Sequence, residues 1–157
     1  LNYQSFYIYS NSDAGYAKMM ELLIRKIRKK ARITTIKVFR NLDHTLYLSV
    51  MKNCDVMIGN SSSGLIEAPS CKTPYVLVGT RQEGREKAKS IIQTGYSKRE
   101  IIKAARKAMF NKPFRRIVAR CTNPYDPFGD GKAGKRIANI LAKVKIDYQL
   151  IQKKLTY

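Results

Sequence analysis

The chain has 157 residues, 44% apolar and 27% charged, which suits one globular domain and excludes a disordered polymer. Lys and Arg outnumber Asp and Glu by 31 to 11, and the net charge of +20 would suit nucleic acid, an anionic membrane or a phosphorylated ligand. No apolar run approaches the roughly 20 residues that cross a bilayer, so no membrane-spanning helix is expected.

The first segment, Leu1-Asn2-Tyr3-Gln4, has neither the basic start nor the apolar stretch of a signal peptide, and a cytoplasmic setting is expected. A chain that opens on Leu rather than Met reads as a piece of a longer protein. Tyr7-Ile8-Tyr9 is a short strand ended by Ser10-Asn11-Ser12-Asp13, and Asp13 suits a helix N-cap. Tyr16, Met20, Leu23, Ile27 and Ala31 then step by four, three, four and four, one face of an amphipathic helix whose other face holds Lys18, Arg25, Arg28, Lys29 and Arg32.

The β-branched run from Ile33 to Phe39 reads as a strand. Asp43 caps a second helix with Leu46, Val50 and Met51 facing inward, and Val56-Met57-Ile58 is a buried strand that breaks at Gly59. From Gly64 to Ser70 only a short helix fits, because Pro69 interrupts it. Tyr75-Val76-Leu77-Val78 is a further apolar strand ending at Gly79, and Ser90-Ile91-Ile92 leads to Gly95 as another.

Ser97 and Glu100 form a capping-box pattern ahead of Ile101, Ala104, Ala105 and Ala108. Pro113, Pro124, Pro127, Gly129 and Gly131 mark 111–131 as mostly loop. A last helix from about Lys132 is expected to bury Ile137, Ile140, Leu141 and Val144. Tyr148, Leu150, Ile151 and Leu155 are the apolar residues expected to be exposed in an isolated chain.

Short apolar strands alternating with amphipathic helices predict an α/β fold, a doubly wound parallel sheet in one Rossmann-like domain over 1–157. Ligands of such sheets sit beyond the carboxyl ends of the strands, which directs attention to loops 10–15, 40–43, 59–64 and 79–85.

The charge is unevenly spread. Residues 25–40 hold eight basic side chains and no acidic one, 81–120 hold thirteen against three, and 41–80 hold two against three. No RNP-like strand, GxxG clamp or zinc knuckle accompanies the charge, so it reads as solvated helix surface and nucleic acid is not the expected partner. Cys54, Cys71 and Cys121 are odd in number and far apart, beside a single His44, which is neither a disulfide framework nor a zinc pattern. They read as buried, inert thiols of a reducing compartment, with no metal site.

The candidate chemistry lies in the neutral centre. Gly59-Asn60-Ser61-Ser62-Ser63-Gly64 follows a buried strand and opens a helix, where glycines allow close approach and serine hydroxyls add donors for an anion. An ordinary strand-to-helix turn would look the same. The segment is neither a Walker A loop nor a GxGxxG fingerprint. Glu67 is placed in the first turn of that helix, where the dipole favours a carboxylate, or else accepts hydrogen bonds from two vicinal hydroxyls such as those of a ribose. Arg81 and Arg85 could add charge-assisted contacts to a diphosphate. Asp13, Asp43, Asp55, Asp126 and Asp130 read as cap or turn residues, and His44 as an exposed residue at a helix start.

The run from Met57 through Ser70, with Asn60-Ser61-Ser62-Ser63-Gly64 and Glu67, resembles the C-terminal half of UDP-N-acetylglucosamine 2-epimerases. The resemblance continues in Pro74–Arg85, at Asn11-Ser12-Asp13-Ala14-Gly15, at Asn123-Pro124-Tyr125 and at Phe128-Gly129-Asp130-Gly131-Lys132-Ala133, in family order along nearly the whole chain. The asparagine-triple-serine form resembles the hydrolysing branch, which makes N-acetylmannosamine and free UDP in sialic-acid-type synthesis.

That resemblance implies a GT-B architecture of two Rossmann-like domains, of which this chain is the UDP-binding one. It implies that Ser61, Ser62, Ser63 and Gly64 hold the diphosphate, Glu67 the ribose hydroxyls, and that Arg81 sits by the phosphates. Asn11 would line the cleft, and Asn41, Leu42 and Asp43 would offer backbone to the uracil. It also implies no cofactor, a UDP-linked N-acetylhexosamine as ligand, and oligomers of the complete protein. The acid/base carboxylates would belong to an N-terminal domain absent here, so the isolated chain is expected to be inactive. A GT-B glycosyltransferase would use the same loop and carboxylate, and a basic nucleic-acid-binding module is the alternative from another class.

Overall fold

A computed structural model describes residues 3–9, 18, 21, 22, 25 and 36–152. Its elements are β1 (Ser5–Ile8), β2 (Ile36–Phe39), α1 (His44–Asn53), β3 (Met57–Gly59), α2 (Ser63–Ile66), β4 (Tyr75–Val78), β5 (Ile91–Thr94), α3 (Lys98–Phe110), α4 (Lys112–Arg120), α5 (Ala133–Leu141) and α6 (Tyr148–Ile151). Lys18, Glu21, Leu22 and Arg25 are helical, as the spacing predicts. The inward residues predicted for that helix, and the cap Asp13, lie outside the described residues.

All paired strands are parallel, which bears out the α/β, Rossmann-like class. Among the described residues the ladder hydrogen bonds divide the strands into two sets, β1-β2 and β3-β4-β5, rather than one continuous sheet. In the larger sheet Met57 pairs with Tyr75, and Tyr75 in turn with Ile91, so β4 is central.

The centrality of β4 explains its unbroken apolar run. Successive side chains of a strand point to opposite faces. Tyr75 and Leu77 join Met51 of α1 with Leu65 and Ala68 in one buried cluster. Val76 joins Ala104 and Ala108 of α3 with Phe114 and Val118 of α4 in a second. The strand is thus covered on both faces, the doubly wound arrangement, and each large apolar side chain so buried, such as Leu65, Val76 or Phe114, contributes about 1.5–3 kcal/mol relative to an exposed one.

Several local expectations need correcting. Within 111–131 the loop reading holds for 121–131 but misses the helix α4 at 112–120, because Pro113 sits in its first turn, where its missing N–H costs nothing, and Asn111 caps that turn by accepting from Phe114 N at 2.8 Å. Ser97 makes no side-chain cap bond, and Glu100 instead accepts from the N–H of Gly95, so the capping box is not formed. Ile137, Ile140, Leu141 and Val144 are exposed rather than buried.

In α1, Met51 is buried and Val50 half-buried as expected, but Leu46 faces solvent. The inward stripe of α1 runs through Tyr47 and Met51, and Leu46 lies a quarter-turn from it. Tyr148, Leu150 and Ile151 are exposed, as anticipated for an isolated chain, and Leu155 lies outside the described residues.

Candidate functional site

Because β3 and β4 run parallel, the turns that follow them emerge on the same side of the sheet. The Gln82 side chain joins them: its amide Nε2 donates to the Asn60 carbonyl at 2.9 Å, while its buried Oε1 has no hydrogen-bond partner among the described residues. Loops 59–64 and 79–85 are thereby laid side by side. Arg81, exposed on the second loop, directly precedes Gln82 and is therefore carried to the side of the serine turn by the Gln82–Asn60 bond. The Tyr75 hydroxyl donates to the Ser61 carbonyl at 3.1 Å, and burial pushes its pKa far up, so it stays a donor.

The serine turn is wired from beneath. Tyr47 of α1 meets the Ser63 hydroxyl at 2.6 Å, and Ser63 meets the Ser61 hydroxyl at 3.0 Å. Burial raises the Tyr47 pKa, so this phenol too keeps its proton. Ser63 thus spends its hydroxyl inside the protein. Ser61 and Ser62 are half-buried, and Ser62 makes no side-chain cap bond to α2. Gly64 is buried against the Tyr75 ring, and a Cβ there would overlap that ring. Close packing, rather than room for a ligand, requires glycine at this position.

Glu67 is not in the first turn of a helix. The helix that follows the serines is one turn, Ser63–Ile66, and Glu67 is its C-cap, with its N–H bonded to the Ser63 carbonyl. So short a helix supplies little dipole, and the case for an anion rests on hydroxyls and Arg81 instead. The Glu67 carboxylate accepts from, or pairs with, His44 Nε2 at 3.0 Å. His44 is indeed an exposed residue at a helix start, and it is also the contact that ties α1 to Glu67.

The loop before α1 reaches the same place. Asp43 caps α1 as predicted, its Oδ1 accepting from Leu46 N at 3.0 Å, so Asn41, Leu42 and Asp43 lead directly into the helix that carries His44. Asn11 lies outside the described residues, and Arg85 is exposed on the same loop as Arg81. The structure therefore brings together Ser61, Ser62, Ser63, Gly64 and Glu67, with Asp43 and Arg81 on the two adjoining loops.

Sequence reasoning reads Met51 as inward-facing and Asn123 as part of a family motif, but it misses Tyr47 and the supporting contacts of Tyr47 and Asn123. Tyr47 stands three positions from His44 and Met51 seven, a helical spacing that signals one stripe. Asn123, 5% exposed, donates through Nδ2 to the Ile66 carbonyl and the Ser70 hydroxyl and so pins the end of α2. Asp126 and Asp130 accept from nearby backbone N–H groups, in keeping with their reading as turn residues. Burial raises the pKa of Cys54 and Cys71, which keeps both as thiols. Among the described residues no cluster of His, Cys, Asp and Glu is arranged to hold a metal, and no helix is long and apolar enough to cross a membrane.

Comparison with known proteins gives a family match over residues 1–142, to the family described as UDP-N-acetylglucosamine 2-epimerase. The chain is 31% identical over 152 residues to a UDP-N,N'-diacetylbacillosamine 2-epimerase (hydrolyzing) of Legionella pneumophila, covering 97% of this chain and 37% of that protein. It is 40% identical over 85 residues to a GDP/UDP-N,N'-diacetylbacillosamine 2-epimerase (hydrolyzing) of Campylobacter jejuni, covering 54% of this chain and 22% of that protein. A UDP-N-acetylglucosamine 2-epimerase of Neisseria meningitidis is 35% identical over 101 residues, covering 64% of this chain and 26% of that protein. The chain thus spans well under half the length of these relatives.

Proposed function

The chain belongs to the UDP-N-acetylglucosamine 2-epimerase family, and from that premise we propose that it is the UDP-binding part of a hydrolysing 2-epimerase that acts on a UDP-linked 2-acetamido sugar. The observation that carries this reading is the meeting of Ser61 and Ser62, on the turn after β3, with Glu67 at the end of the one-turn helix that follows, and of the Arg81 loop tied beside them through Gln82. Ser61 and Ser62 donate to the diphosphate, Arg81 offsets its charge, and Glu67 accepts from the ribose diol. The backbone of Asn41, Leu42 and Asp43 faces the uracil.

In the complete enzyme a base removes the sugar C2 proton while the C1–O bond to UDP breaks on the opposite face. The glycal that remains takes up water, hydroxyl at C1 and proton at C2, and leaves as the free 2-epimer. This chain's part is to hold UDP as binding group and as leaving group. As the family resemblance implies, the proton-transfer carboxylates are those of a second domain, in cis or in trans; Asp43, Asp126, Asp130 and Asp147 here serve caps and turns. Without that domain the chain turns nothing over. We place the complete protein, as an oligomer, in the cytoplasm.

Calorimetric titration with UDP, using ADP as control, tests the reading. UDP is expected to bind saturably and in preference to ADP, and the double variant Ser61→Ala/Glu67→Ala to lose about tenfold or more. That loss corresponds to one or more hydrogen bonds to charged groups at about 1.5–3 kcal/mol each. Equal binding of UDP and ADP, or an unaffected double variant that is folded, would overturn it.

A further inference from the structure

We propose that His44 is a positioning residue that fixes the Glu67 carboxylate for the vicinal hydroxyls of the ligand, an inference that rests on the reading of Glu67 given above. A glutamate side chain has three rotatable bonds, and an unheld carboxylate at the end of a one-turn helix must be ordered by the ligand each time it binds. Glu67 is held. Its Oε1 lies 3.0 Å from His44 Nε2, and no other hydrogen bond to this carboxylate is made among the described residues, which leaves Oε2 for a ligand hydroxyl.

His44 is itself placed firmly enough to do this. It is the first residue of α1, whose start is set by the Asp43 cap on Leu46 N. The same stripe of α1 continues through Tyr47, bonded to Ser63, and Met51, packed with Leu65 in the core under the site. One helix face thus addresses Glu67, the serine turn and the core in succession. Tyr47 and Cys71 also feel the Glu67 charge, but His44 is the side chain in hydrogen-bond contact with it. As a contribution to stability the contact is small, since His44 is 73% exposed and exposed pairs contribute about 0–1 kcal/mol. Its effect is expected on binding.

The test measures UDP and 2′,3′-dideoxy-UDP affinities of the intact protein and its variants. His44→Ala is expected to weaken UDP about three- to tenfold, the range set by freeing one flexible side chain. His44→Gln, whose amide can still donate to the carboxylate, should restore most of it. The dideoxy nucleotide, lacking the hydroxyls, should show no difference between wild type and His44→Ala. The proposal is overturned if His44→Ala binds UDP like wild type while Glu67→Ala does not, or if both nucleotides weaken equally in His44→Ala. An unaffected Glu67→Ala would instead overturn the assignment of Glu67, and the proposal with it.

Discussion

The helices α4 and α5 are both nine residues long and both amphipathic, yet they end in opposite surroundings. α4 presses Phe114, 7% exposed, and Val118, 2% exposed, against Ala104 and Ala108 of α3 and Val76 of β4. α5 leaves Ile137 at 57%, Ile140 at 65% and Leu141 at 66% exposed. Their starts differ too. Asn111 caps α4 through its side chain and Pro113 presets the first turn, while Lys132 at the start of α5 makes no side-chain cap bond. An amphipathic pattern states that a face is apolar; whether the chain itself brings a cover to that face is a separate matter of topology.

The comparison is broken or sharpened first at α4. Phe114→Ala removes a buried ring from the cluster that closes one face of β4, and a loss of about 3–5 kcal/mol in urea unfolding is expected. A loss below about 1 kcal/mol would mean that α4 is no more anchored than α5. Asn111→Ala removes only the bond to Phe114 N, and about 1 kcal/mol is expected in the same measurement. If Asn111→Ala costs as much as Phe114→Ala, the helix depends on its cap rather than on its packing.

What could be read from the sequence follows the same division between local and distant causes. β4 was legible because a strand covered on both faces must be apolar at every position, and Tyr75–Val78 is. The Asp43 cap and the serine turn at the end of β3 were legible because cap and turn chemistry acts within three or four residues. α4 was hidden because Pro113 signals a break in a helix interior and is harmless in a first turn, and only the position of that turn tells the two apart. The contacts that shape the site were hidden by distance along the chain: His44 reaches Glu67 across 23 residues and Asn123 reaches Ile66 across 57. Motif resemblance marked Glu67 and Asn123 as notable, but only the fold shows that one is held by a helix start and the other holds a helix end.

The smallest expected effect is the sharpest test of the contrast. Ile140→Ser and Leu141→Ser place polar groups on a face of α5 that is already in water, and neither side chain belongs to either buried cluster. Each should change the unfolding free energy of this chain by no more than about 0.5 kcal/mol, the ordinary range for surface positions. The conditions of the measurement carry the argument, because the same substitutions in the intact protein report on whatever covers α5 there. A loss of 2 kcal/mol or more, on the order of that for a buried aliphatic side chain, in the 157-residue chain itself would place α5 in a packed core and end the contrast with α4. No loss in this chain but a clear one in the intact protein would locate the partner of this face outside these 157 residues, where the amphipathic pattern alone could not point.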